Sequence, residues 1–260
     1  MDAQTVWSAA SGATTDPLVV LVHGAMDRSA GLLRLSRRLD TGFRVVRYDR
    51  RGYGRSSSVG PPWTVDANIA DLRVLIERER HHGGGGPAVV FGHSFGGNVA
   101  LGLADRHPDL VAAAVVYEMP MSWLDSWPNN SAGAAAMAAP DASDAAEAFI
   151  RRLVGDEAWD RLSPAKQELR RAEGQAMVAE LADLRVTAPW TPARITLPVL
   201  ALYGENGRPH HQAAMRAFPD LVANAQVSCV PAAGHAGPHS HAEAVGAAVT
   251  TFIAAHRGGD

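Results

Sequence analysis

The sequence predicts an α/β fold: a mostly parallel central sheet covered by helices, with a helical segment inserted into it. Three observations predict it. Short apolar, often β-branched runs alternate with stretches of helical period. The 25 glycines and 16 prolines supply the turns that such an alternation needs. The alternation then stops over residues 119–194, where no convincing strand occurs. With 260 residues, 47% of them hydrophobic, the chain can bury a core without disulfides or metal.

Taken in order, residues 18–22, 43–48, 88–91, 113–117, 198–203 and 226–230 read as strands, each bounded by Gly, Asp or Pro or a loop. Residues 27–40, 65–80, 94–107, 210–221 and 241–256 carry apolar side chains three and four apart and read as the covering helices. His81-His82-Gly83-Gly84-Gly85-Gly86 lacks the spacing of a phosphate loop and reads as a turn. Within 119–194, residues 143–154 form a helical run ended by Gly155, and Ser163-Pro164 offers an N-cap followed by proline in the first helical position. Residues 1–118 and 195–260 are therefore expected to form one discontinuous core, and 119–194 a helical cap that holds Trp123, Trp127, Trp159 and Trp190.

A formal charge of −3, with no stripe of Lys or Arg, argues against nucleic acid as a partner. No apolar run approaches the ~18 residues of a membrane span. Met1-Asp2-Ala3-Gln4 carries an acid where a secretory leader carries basic residues, so a cytoplasmic protein is expected. The single cysteine, Cys229, is expected to be a buried strand thiol.

The chemistry gathers around Gly92-His93-Ser94-Phe95-Gly96-Gly97, between a strand and a helix. A Gly-x-Ser-x-Gly match is weak by itself, but this placement strengthens it. A sharp strand-to-helix turn strains the serine, and it closes only if the residues two before and two after lack side chains. The turn lifts the Ser94 hydroxyl above the sheet and aims the helix N-terminus at developing negative charge. Val22-His23-Gly24-Ala25-Met26-Asp27 follows the first apolar strand, so the Ala25 and Phe95 amides can together form an oxyanion hole.

With these segments, Tyr48-Asp49-Arg50-Arg51-Gly52-Tyr53-Gly54-Arg55-Ser56 and Ala233-Gly234-His235 complete a resemblance to the α/β-hydrolase family, in particular its capped, esterase-like members. The resemblance covers most of the chain outside 119–194 and implies a triad in the order nucleophile, acid, base. Ser94 and His235 match the first and last. Many relatives place an Asp three residues beyond the glycine ending the next-to-last strand, but Gly204-Glu205-Asn206-Gly207 has glycine there. Glu118, after the strand at 113–117, is the preferred acid, because some relatives carry it at that strand; Glu205 is the alternative. Asp49 and Arg50 read as charges that organise a tight turn.

The resemblance implies a small-molecule substrate and calls for no cofactor. His81-His82, His210-His211 and His239-x-His241 suggest metal ligands only weakly, since no Cys or carboxylate cluster in the sequence completes a site. Met26, Met119, Met121, Trp123 and Trp127 are candidates for an apolar pocket. No Arg or Lys position demands an anionic substrate, so a small, uncharged ester or lactone is the default. Carbon–carbon bond hydrolysis and cofactor-free peracid (haloperoxidase-type) chemistry compete on the same triad. A non-catalytic ligand receptor competes from another class.

Overall fold

The computed structural model describes residues 5–83 and 85–256. Met1-Asp2-Ala3-Gln4, on which the expectation of no leader rests, and Gly84 of the glycine run lie outside the described residues. The described strands are β1 (Ser8–Ser11), β2 (Leu18–Val22), β3 (Arg44–Tyr48), β4 (Ala88–His93), β5 (Val111–Tyr117), β6 (Val199–Gly204) and β7 (Ala225–Val230). They form one sheet in the order β1-β3-β2-β4-β5-β6-β7, with β1 antiparallel to β3 and every other pair parallel.

The helices are α1 (Leu33–Leu39), α2 (Val65–His82), α3 (Phe95–Arg106), α4 (Ala132–Met137), α5 (Ala142–Val154), α6 (Asp156–Asp160), α7 (Pro164–Ala172), α8 (Gly174–Val186), α9 (Pro209–Arg216), α10 (Phe218–Leu221), α11 (Gly237–Ser240) and α12 (Ala242–His256). Because side chains alternate along a strand, the sheet feeds two separate apolar layers. Val20, Val90 and Ala114 pack with Ile69, Leu72 and Val99 of α2 and α3. Val19, Phe91 and Val115 pack with Leu35 and Leu39 of α1 and Val245 and Val249 of α12. Every residue of the central strand β4 is buried, as a strand covered on both faces requires.

Between β5 and β6 the described residues hold α4–α8 and no strand. Ser131 caps α4 by accepting from the Ala134 amide, and Asp141 caps α5 by accepting from the amides of Ser143 and Asp144. Of these helices α8 buries Met177, Glu180, Leu181 and Leu184.

Local differences from the sequence reading have local causes. Strand β1 carries no apolar alternation and exists through its edge pairing with β3. The helix expected over 27–40 opens with a 3-10 turn at Ser29–Leu32 before α1. The one expected over 210–221 is interrupted at Ala217 between α9 and α10, two residues before Pro219, which has no amide to continue the ladder. Cys229 is exposed rather than buried, because β7 is the edge strand and only Val230 of it is buried.

Candidate active site

All the expected site residues follow the C-terminal ends of parallel strands, where open α/β sheets leave a crevice. Ser94 follows β4 directly, with φ 51° and ψ −124°, a conformation that L-residues rarely adopt. The neighbouring glycines make it affordable. A Cβ on Gly92 would overlap the backbone of Gly96 and Gly97, and one on Gly96 would overlap the carbonyls of Val22 and His23. The Ser94 amide donates to the Tyr117 carbonyl (2.8 Å), which ties the turn to β5. Phe95 opens α3, so its amide is among those that no intrahelical carbonyl can reach.

Opposite lies the loop after β2. Asp27 N–H returns to the Gly24 carbonyl (3.4 Å), with Met26 at φ 56°, and Gly24 lies directly against the Ser94 side chain. His23 is fully buried; its Nδ1 donates to the Gly24 carbonyl (2.8 Å) and its Nε2 accepts from the Arg50 amide (2.9 Å). Burial, and then the Arg50 charge, hold its pKa well below the usual histidine range, so the ring is neutral.

Arg50 does more than organise a turn. Its guanidinium donates to the carbonyls of His23 (3.0 Å) and Gly24 (3.2 Å), to Asn68 Oδ1 (3.0 Å) and to both Glu180 carboxylate oxygens of α8. Its plane lies 4.6 Å from the Phe95 ring. One buried cation thereby fixes the loop after β2, the residue after Ser94 and the inserted helix α8.

The structure brings Glu118 and His235 together. The fully buried Glu118, at φ 46°, has Oε2 2.7 Å from His235 Nδ1, while its Oε1 accepts from the Gly204 amide (3.0 Å). Gly207, where relatives carry the acid, lies beside it, and a Cβ there would overlap the Glu118 carboxylate. The position vacated on one strand end thus makes room for the carboxylate supplied by the next. Glu205 is exposed, and its carboxylate accepts from the Ala232 amide (2.8 Å). His93 Nε2 donates to the His235 carbonyl (2.8 Å), and Tyr117 Oη donates to the Gly234 carbonyl (2.7 Å), so the base-bearing loop is held at two points. Burial, reinforced by His235, lowers the His93 pKa to about 3.

Sequence reasoning named His211 only within the weak metal-ligand pair His210-His211 and did not place it beside His235. His211 is buried on α9, stacks on His235 at 4.8 Å between ring centroids, and leaves its Nδ1 without a partner among the described residues. Glu118, His211 and His235 each bring a ligand atom within 4.8 Å of the others, the one such grouping among the described residues, although the Glu118–His235 hydrogen bond engages two of them. Only the fold brings α9 to the end of β5, so no spacing along the chain could have signalled it.

Two cavities meet at Ser94, sharing Ala25, Leu153 and His235 as walls. The wider, about 380 Å³, is lined by Met26, Leu32, Ile150, Val154 and Leu162. The narrower, about 50 Å³, is lined by Phe95, Trp127, Ser122, Ser131, Arg185 and Arg208. A larger groove of about 780 Å³, bounded by Trp7, Arg47 and Glu173, contains neither Ser94 nor His235. Of the expected pocket residues, Met26 and Trp127 line these cavities. Met119, Met121 and Trp123 do not: Met119 packs on Gly97, Met121 is buried in the core layer, and Trp123 meets Trp190 edge-on at 5.7 Å. Their apolar character serves packing between α3 and the inserted helices.

The sequence profile of the alpha/beta hydrolase family matches residues 19–248. The chain is 35% identical over 190 residues to Lipase LipV of Mycobacterium tuberculosis, a match spanning 71% of this chain and 64% of that lipase. It is 29% identical over 268 residues to the sn-1-specific diacylglycerol lipase ABHD11 of Mus musculus, over 94% of this chain and 83% of that protein. The crystal structure of the enol-lactonase from Burkholderia xenovorans superposes with a TM-score of 0.74 at 20% identity, covering 96% of each chain, a likeness of fold. From β2 to α12, then, sheet order, turns and sequence agree, and the chain belongs to the alpha/beta hydrolase family.

Proposed function

We propose that this chain is a carboxylic-ester hydrolase that cleaves a small ester or lactone, largely apolar in its bulk, through an acyl-enzyme on Ser94. The observation that carries the reading is the Glu118–His235 hydrogen bond beside a strained, cavity-facing Ser94. With Nδ1–H held by Glu118, the lone pair of His235 is at Nε2 and free to take a proton. His235 removes the Ser94 proton as Oγ bonds to the substrate carbonyl carbon. The Ala25 and Phe95 amides receive the oxyanion. The same proton then passes to the departing alkoxide as the carbon–oxygen bond breaks. Water, deprotonated by His235, releases the acid and restores Ser94.

Helices α4–α8 act in this reading as a cap over residues 1–118 and 195–260. Leu153 of α5 and Trp127 ahead of α4 form part of the cavity walls. The lipase relatives support an ester substrate, and the enol-lactonase likeness is compatible with a lactone.

A fluorophosphonate probe should label Ser94, and Ser94→Ala should abolish both labelling and ester turnover while the circular dichroism spectrum is retained. Turnover persisting in Ser94→Ala would refute the reading.

A further inference from the structure

The two cavities at Ser94 differ in charge. In the wider one Arg170 is compensated: it pairs with Glu173 (3.3 Å), and the half-buried Asp27 shares the wall. In the narrower one neither Arg185 nor Arg208 forms an ion pair among the described residues. Arg185, half-buried, donates from Nη1 to the Leu181 carbonyl (2.9 Å), and its Nη2 lies against Gly133, where a Cβ would stand 2.8 Å away. No acceptor reaches that Nη2 among the described residues. Burial depresses the Arg185 pKa with no carboxylate to offset it. Arg208 donates once, to the Arg152 carbonyl (2.7 Å). The neighbouring His210 and His211 bring no negative charge, and Ser122 and Ser131 line the same space.

A partly desolvated guanidinium with unused donors costs stability unless something anionic occupies its site. The space, about 50 Å³, suits a group the size of a carboxylate on a short chain. Phe95, whose amide would serve the oxyanion site, lines this cavity and not the wider one, and in this reading the acyl side of the substrate lies here. Resting on the ester-hydrolase reading above, we infer that the narrow cavity is a carboxylate subsite, and that the substrate is a monoester or lactone of a short dicarboxylic acid. Arg185 and Arg208 hold the free carboxylate, and the wider cavity holds an apolar alcohol portion. The default of an uncharged substrate is thereby replaced.

The test compares benzyl hydrogen succinate with benzyl 4-methylpentanoate, which has an isopropyl group in place of the carboxylate, by release of benzyl alcohol. The expected kcat/KM favours the charged ester at least about tenfold at low salt. Arg185→Gln and Arg208→Gln should each lower that charged-to-neutral ratio about 10–100-fold, the scale of a charge-assisted hydrogen bond. Arg185→Lys should restore part of it, because a point charge remains. The ratio is insensitive to loss of folded protein, since misfolding lowers both rates alike. A neutral ester cleaved as well or better, a ratio that neither substitution lowers, or cleavage of neither ester overturns the inference. Fluorophosphonate labelling of Ser94 in the same sample tells whether the hydrolase reading fails with it.

Discussion

Glu118 and Gly207 make sense only as a pair. The carboxylate at the end of β5 reaches His235 because position 207 carries no side chain. Glu118→Gln keeps the shape but removes the charge that stabilises an imidazolium, so turnover should fall about 10³–10⁴-fold, measured as kcat on a soluble ester. Glu205→Gln should stay within about tenfold, because that side chain is exposed and bonded to a turn amide. The reverse pattern would move the acid to Glu205. At this scale the sequence was eloquent where a residue type is demanded by backbone geometry, as at Gly92, Ser94 and Gly96. It was silent about Arg185 and Arg208, and about His211 beyond a weak metal-ligand pair, because the meaning of these residues comes from where the inserted helices and α9 bring them.

Among the elements, α8 is the one whose attachment is electrostatic as well as apolar. Arg50 and Glu180 are both fully buried, with Tyr53 Oη donating to Glu180 (2.7 Å) and Asn68 donating to the same carboxylate (3.1 Å). Arg50→Met leaves that carboxylate buried and unpaired, a loss of about 3–5 kcal/mol. Combining it with Glu180→Leu should recover a substantial part, because two apolar groups leave no stranded charge. Urea unfolding of the two single variants and the double one measures this; additive losses would contradict it. The strands and the core helices were legible as elements because burial imposes their periods. The amphipathic run of α5 was legible in the same way. The link from Arg50 to α8 joins residues 130 positions apart in sequence, and no local pattern announces it.

For the whole molecule, burial of histidines sets the response to acid. His23, His93 and His211 all titrate below their ordinary range in the folded protein, His93 at about 3. As the pH falls below 6.5 the unfolded chain takes up protons that the folded one excludes, so stability declines by about 1.4 kcal/mol per pH unit for each such histidine. Asp27, raised by burial, acts in the opposite sense. The urea midpoint at pH 5 should therefore lie clearly below that at pH 7.5, and an equal or higher midpoint would contradict this. The mostly parallel sense of the sheet followed from the alternation of elements. The edge strand β1 did not, since a short polar segment becomes a strand only when a neighbour offers its hydrogen bonds.

The buried Arg50 also bears on how the molecule moves. The same guanidinium grips the carbonyls of His23 and Gly24 and the carboxylate of α8. Swinging α8 outward would pull on the loop that presents the Ala25 amide. That contact ties α8 to the loop after β2, so any opening of the cavity is expected to fall to the helices before it, where Ile150 and Leu153 of α5 form part of the wall.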